Sequence, residues 1–311
     1  MIIDTLGEIR NDLYYLGHTE CPVYLWDGAE PVIFDAGITY AGKLYVEAIR
    51  SVLGDRQPSI LFLTHAHWDH CGSVSCLKEA FPNMKVAASH LAGQILQRPN
   101  AVDLIRRLNE NFISIIKSTS GLDLSLLNHK PFSSFEVDIP LEDNQRIDLS
   151  GGKILQVLAT PGHTRDHLSY YLPDEKILIA GEAAGVFYGP GVISSEFAAD
   201  YDLYVSSLKR LLELPVQVFC QGHHSVLAGR EEVRNMFLQS LNVTRRYKER
   251  IMELLEEEDG QAEAVIKRVK AEMYDVIEGK KQWENAYLLN LKAQVAHLAK
   301  KHQDSSVVSR Q

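Results

Sequence analysis

Thr64-His65-Ala66-His67-Trp68-Asp69-His70-Cys71-Gly72 places three histidines and one carboxylate within six positions. Neutral imidazole and carboxylate are the donors that divalent Zn, Fe and Mn accept. The stretch follows the apolar run Ser59-Ile60-Leu61-Phe62-Leu63, which reads as a buried strand, so the four groups are expected at a strand end. Side chains alternate along a strand, which puts His65 and His67 on one side, aimed at a common ion. Asp69 and His70 come after a turn that Gly72 is expected to relax, within reach of a second ion. The bland reading of these residues is a histidine-rich surface turn. Four ligand-type residues at this spacing weigh against it.

Three further donors repeat the pattern downstream. His163 follows the strand-like Lys153-Ile154-Leu155-Gln156-Val157-Leu158 and the turn at Pro161-Gly162. Glu182 follows Lys176-Ile177-Leu178-Ile179-Ala180 and Gly181. His223 follows Pro215-Val216-Gln217-Val218-Phe219-Cys220 and, after Gln221, Gly222. Each stands beside a glycine at the end of an apolar run. His224 leaves the choice of ligand open by one residue. His167, in Thr164-Arg165-Asp166-His167, reads either as a pocket or bracing histidine or as an ordinary structural one. Trp68, between ligands, is a pocket candidate, whereas His18 and His90 carry no local signal.

These motifs resemble the metallo-β-lactamase superfamily. The family's HxHxDH motif matches His65, His67, Asp69 and His70 without a gap, its next histidine matches His163 in Pro161-Gly162-His163-Thr164, and its last matches His223. The resemblance implies an α/β fold, a four-layer αββα sandwich of two mixed sheets with the metals at one edge. It implies two divalent ions per chain, of Zn, Fe or Mn. His65, His67 and His163 would hold one ion, and Asp69, His70 and His223 the other. Asp35, in Phe34-Asp35-Ala36-Gly37, matches the aspartate that braces the motif loop. The bridging carboxylate of the family is an Asp, and here the position is Glu182, one methylene longer. The implied reaction is hydrolysis by a metal-held hydroxide, with Asp69 also orienting it or taking its proton. The layout resembles glyoxalase II-like hydrolases and, most closely, the quinolone-signal-response thioesterases. The latter share the HxHxDHCG form of His65–Gly72 and the spacing of His163, Asp166 and His167.

Composition narrows the classes. The chain has 311 residues, 45% of them hydrophobic, enough for a sizeable core. No run of 18 apolar residues occurs, so no membrane span is expected. The start, Met1-Ile2-Ile3-Asp4-Thr5, lacks a basic, apolar leader, and a cytoplasmic location is the expectation. Cys21, Cys71, Cys76 and Cys220 form no CxxC pair and read as reduced thiols. The net charge of −9 disfavours a nucleic-acid partner.

Residues 1–230 are expected to form the catalytic domain, 231–302 a C-terminal helical extension packed on it, and 303–311 a polar tail. Within the first part, strands are expected at Leu13–Leu16, Pro22–Trp26, Pro31–Phe34 and Met84–Ala88, and through Phe132–Leu168. Helices are expected at Ala41–Leu53 and Asn100–Ser118, then at Glu231–Glu258, Gln261–Ile277 and Gln282–His302. The expected partner is a small-molecule acyl substrate, with the C-terminal helices open to homodimer formation. A thioester suits a site with no marked general acid, because a thiolate leaves without a proton. The competing functions are a mononuclear iron, persulfide dioxygenase-like enzyme, a phosphodiesterase, and a non-catalytic protein that binds a regulator.

Overall fold

The structure, a computed structural model, describes residues 1–10, 12–118 and 124–308, and their side chains apart from those of 114–118, 124 and 303–308. The chain forms two compact units. The first comprises 1–159, 166–181 and 216–229, and the second 160–165, 182–215 and 230–311.

The first unit is built on two seven-stranded sheets. The strands are β1 (Ile2–Ile3), β2 (Gly7–Arg10), β3 (Leu13–His18), β4 (Cys21–Trp26), β5 (Val32–Phe34), β6 (Ile60–Phe62), β7 (Lys85–Ser89) and β8 (Ile139–Leu141). They continue with β9 (Arg146–Leu149), β10 (Lys153–Ala159), β11 (Leu168–Leu172), β12 (Ile177–Ile179), β15 (Val218–Cys220) and β16 (Val226–Ala228), while β13 (Val186–Gly189) and β14 (Val192–Ser194) pair only with each other and belong to the second unit. One sheet runs β2-β3-β4-β5-β6-β7-β8 and the other β1-β16-β15-β12-β11-β10-β9. Both mix parallel and antiparallel pairs: β5, β6, β7 and β8 are parallel neighbours, as are β12 and β15.

The sheets share one core. Tyr24, Trp26, Phe34 and Phe62 from the first meet Leu155, Val157, Tyr170 and Ile179 from the second. The alternate residues Val23, Leu25, Ile33 and Leu61 are just as buried. This is why these strands read as unbroken apolar runs. The first unit also holds α1 (Gly42–Leu53), α2 (Val74–Ala80), α3 (His90–Leu96) and α4 (Pro99–Ser118). α1 packs on β3 and α2, and α3 on β7, β8 and α4. α1 buries Tyr45, Val46, Ile49 and Leu53 at helical spacing and stops at Gly54, whose φ of 61° is a left-handed value.

The second unit contains the β13–β14 hairpin and α5 (Tyr201–Leu212), α6 (Arg230–Glu257), α7 (Ala262–Val269) and α8 (Glu284–Val308). Its core joins Phe197 and Tyr204 to Tyr247, Ile251 and Leu254 of α6, Val265 and Val269 of α7, and Leu291, Val295 and Leu298 of α8.

Several expectations need correction. Residues 132–138 form no strand, and pairing begins only at β8. The expected helix Gln261–Ile277 is α7 followed by a π-turn at Lys270–Tyr274. α8 runs through Val308 into the expected polar tail, whose residues 309–311 lie outside the described residues. Among the described residues no helix is long and apolar enough to cross a membrane.

Candidate metal centre

β6 ends at Phe62, and His65 and His67 lie beyond it in an irregular loop, so strand alternation does not aim them. Two buried carboxylates shape this loop instead. Asp35 sits just after β5 with φ 58°, its N–H bonded to the Phe62 carbonyl at 2.8 Å. Its Oδ1 accepts the Thr64 N–H at 2.7 Å, and its Oδ2 takes His70 Nδ1 at 2.8 Å. The Thr64 hydroxyl also donates to it, at 2.9–3.0 Å. Asp166 Oδ2 accepts the Ala66 N–H at 2.8 Å. Both carboxylates are nearly inaccessible, at 3% and 4% exposure. The loop is therefore tied at 64, 66 and 70 before any ion is considered.

Gly72 acts through space rather than through backbone freedom. A Cβ there would stand 2.4 Å from the Thr39 nitrogen and 2.7 Å from the Gly37 and Trp68 carbonyl oxygens.

The loop gathers the imidazoles. The His65 ring lies 4.5 Å from His67 and 4.3 Å from His70, and stacks on His167 at 5.0 Å. His223 lies 5.5 Å from His70, with its Nε2 3.7 Å from Asp69 Oδ2. Donor atoms of Cys21, Asp69 and His223 fall within 4.8 Å of one another. His223 Nδ1 donates to the Glu20 carbonyl. His224, at φ 65°, turns instead to the Glu20 carboxylate at 3.4 Å. Geometry thus separates the two neighbours that sequence left open. Burial pushes Glu20 upward, but the hydrogen bond and charge of His224, with the charges of His223 and His18, outweigh it and hold its carboxyl below the usual range.

In the second unit, His163 follows Gly162, whose φ is 137° and where a Cβ would strike the Tyr204 backbone at 2.3 Å. His163 Nδ1 donates to the Glu196 carbonyl at 2.7 Å, and its Nε2 lies 3.8 Å from Glu182 Oε2. Both side chains are buried. Tyr204 donates its hydroxyl to the Glu182 carbonyl at 3.1 Å. Burial, then the charges of Glu196 and Glu182, push that phenol well above its ordinary value, so it stays a donor.

A metal requires imidazoles that present a lone pair, and the donor set fits. The acceptors on His70, His163 and His223 are a carboxylate or backbone carbonyls, which take a proton from Nδ1. Nε2 is then the lone-pair nitrogen on each ring. His65 Nδ1 faces the Thr64 hydroxyl at 3.0 Å, and that hydroxyl already donates to Asp35, which leaves it as acceptor.

The sequence profile of the metallo-beta-lactamase superfamily matches residues 17–223, two thirds of the chain. The chain belongs to the metallo-beta-lactamase superfamily. It is 28% identical over 173 residues to the metallo-beta-lactamase fold-containing protein ST1585 of Sulfurisphaera tokodaii, covering 54% of this chain and 61% of that one. It is 27% identical over 171 residues to a hydroxyacylglutathione hydrolase of Rhodopseudomonas palustris, covering 54% of this chain and 49% of that one. Among solved structures, the superfamily protein TTHA1429 of Thermus thermophilus matches with a TM-score of 0.61 at 21% identity, over 96% of this chain and 95% of that one. That likeness establishes the α/β fold. The chain spans 55–61% of the length of the first curated relatives it matches.

Within this superfamily fold, Trp68 packs edge-on against Phe112 at 4.9 Å, and its carbonyl accepts from Asn109 at 3.3 Å. Sequence reasoning missed the roles of Asp166, Glu20, Cys21 and Glu196. Asp166 carried a usable signal, since it stands next to His167 at the start of β11. Glu196 toward His163, and Glu20 toward His223, act through backbone carbonyls, which every residue has, so no residue type could announce those contacts.

Proposed function

We propose that this chain is a dinuclear metal-dependent hydrolase of a thioester or related acyl substrate. In this reading His65, His67 and His163 would hold one ion and Asp69, His70 and His223 the other, with the Glu182 carboxylate available to both. The observation that carries the reading is the Nδ1 bonding of His70, His163 and His223, which fixes each ring with Nε2 as the donor. Two ions held there would acidify a shared water and polarise an acyl carbonyl.

The chain's own groups do the rest. Asp35 takes the Nδ1 proton of His70 and so orients that ring by its Nδ1 edge. The Thr64 and Ala66 N–H groups, held by Asp35 and Asp166, keep the loop from shifting as charge develops. Asp69, whose Oδ2 lies 3.7 Å from His223 Nε2, would orient the attacking water or accept its proton in this reading. No group in the cluster is singled out to protonate a leaving amine. A thiol has a pKa near ~8.5 and leaves as thiolate without help, so the site suits thioesters better than amides. One relative is named a hydroxyacylglutathione hydrolase, and an acyl-glutathione is a thioester.

The test is metal stoichiometry on protein purified without added metal or chelator, followed by release of free thiol from acyl thioesters. Two ions per chain and thiol release that stops in His67→Ala are expected. Failure of the metal-loaded protein to cleave any thioester, or full activity in His67→Ala, would overturn the reading.

A further inference from the structure

The second unit contains a cavity that none of the candidate metal ligands lines. Its volume is about 100 Å³, or about 600 Å³ when the space open to solvent is counted. The walls are Tyr247 of α6, Tyr274 of the π-turn, Tyr287 of α8, and Val243 and Ile193. An engineered apolar cavity of about 150 Å³ takes up benzene, so the space suits an apolar body of about one ring or about five or six carbons.

Most polar groups at the cavity are already committed. Tyr247 and Tyr287 bond each other through their hydroxyls at 3.1 Å. Asn290 donates to the Glu196 carboxylate at 2.7 Å, and Gln294 to the Ser195 carbonyl at 2.8 Å. Lys281 differs. Its ammonium stands 4.3 Å over the Tyr274 ring and gives one hydrogen bond, of 3.0 Å, to the Tyr274 carbonyl. Among the described residues no carboxylate pairs with it, although neighbouring Lys270 holds both Asp275 and Glu284. An ammonium has three donors, so Lys281 keeps capacity for an anion at an apolar wall. A lone lysine is a single point charge, without the fork that an arginine offers to phosphate.

We propose that this cavity is a binding site for a compact apolar monocarboxylate, with its body among the three tyrosines and its carboxylate on Lys281. The site has a route to the metal centre through its own lining. Ser194 and Asn290 hold the Glu196 carboxylate, and the Glu196 carbonyl holds His163. Binding is read without turnover, so the proposal stands or falls apart from the hydrolase reading.

The experiment is calorimetric titration of the full chain with hexanoate and, as its neutral counterpart, hexan-1-ol. Saturable binding of one hexanoate per chain is expected. Lys281→Met, which keeps the apolar stem of a half-buried residue, should weaken hexanoate about tenfold or more while leaving hexan-1-ol within about twofold. Val243→Phe should fill the space and weaken both. No saturable hexanoate binding overturns the proposal, as does unchanged affinity in Lys281→Met, which is chosen because it tests the site even if Val243→Phe fails to fold. If a thioester is found to be cleaved, competition by hexanoate that Lys281→Met abolishes would identify the site as the seat of the substrate's acyl group, and a change in maximal rate that Lys281→Met abolishes would identify it as an effector site. Inhibition that persists undiminished in Lys281→Met would put hexanoate on the metal ions and count against the cavity.

Discussion

Asp35 joins the end of β5 to the histidine loop, and its two oxygens do different jobs. One accepts the Thr64 N–H, and the other orients His70. Asp35→Asn keeps the volume and tolerates the left-handed backbone, but it removes the charge and turns one acceptor into a donor facing either Thr64 or His70. Metal affinity should fall about 10–100-fold, the usual cost of losing such a brace, as measured by competition with a chelator. Unchanged affinity would show that the loop is fixed by Asp166 alone. Asp35 was legible in sequence because its place in Phe34-Asp35-Ala36-Gly37 matches a family pattern. Glu182 was legible as a carboxylate at a strand end, and the structure puts it 3.8 Å from His163 Nε2. The orientation of His65 and His67 was not legible. The expected strand alternation fails because β6 ends before them, and the carboxylates that set their loop lie 29 and 100 residues away from the atoms they hold.

Elements with one apolar stripe were readable, and those shaped by backbone irregularity were not. α1 and α6 appear within a residue or so of their expected limits because Tyr45, Ile49 and Leu53, or Val233, Phe237 and Leu254, repeat at helical spacing. α5 was passed over although Tyr204, Leu208 and Leu211 have that spacing and Asp200 caps it. The π-turn has no side-chain signature to read. The Asp200 cap accepts the Leu203 N–H at 3.0 Å. Burial raises its pKa, but that bond and the charges of Lys301 and His297 outweigh burial and leave it below the ordinary value. A depressed folded-state value means that its contribution is full above the unfolded pKa, near ~3.9, and fades as pH falls through the lower folded one. Asp200→Ala should therefore cost about 1 kcal/mol at neutral pH, and the gap between the two urea midpoints should close in acid. A gap that persists at pH 2 would assign the effect to packing.

The α6–α7 surface poses a question of magnitude. Arg250 touches Glu253, Glu257 and Glu272, and Arg268 touches Glu257, Glu258 and Glu272. The network is conspicuous but lies in solvent, where such pairs contribute under about 1 kcal/mol. Leu254 beneath it is fully buried in the helical core. Leu254→Ala should cost about 2–5 kcal/mol and Arg250→Ala less than about 1 kcal/mol, in the same denaturant series. The reverse order would mean that charge, not burial, holds these helices together.

At the scale of the whole chain, composition and spacing pointed to a boundary at 230, where strand signals stop. Contacts trace another pattern: residues 160–165 and 182–215 belong to the compact unit that 230–311 completes. Sequence texture follows local periodicity, whereas a core is assembled from residues far apart in the chain, so texture could not show this weave. Phe197 and Tyr204, both fully buried, pack in the core that Tyr247, Ile251, Leu254, Leu291 and Val295 supply. A chain ending at 230 would leave those two aromatic side chains without these partners. It would also lose Asn290, which holds the carboxylate of Glu196, the residue whose carbonyl orients His163. Each buried aromatic is worth about 1.5–3 kcal/mol relative to exposure, a large fraction of the 5–15 kcal/mol that separates folded from unfolded domains. The 1–230 fragment should therefore bind a hydrophobic dye, lose the cooperative transition of the full chain, and hold fewer metal ions. A fragment that melts cooperatively and keeps the full metal content would establish 1–230 as a self-sufficient catalytic domain and the remaining helices as an accessory to it.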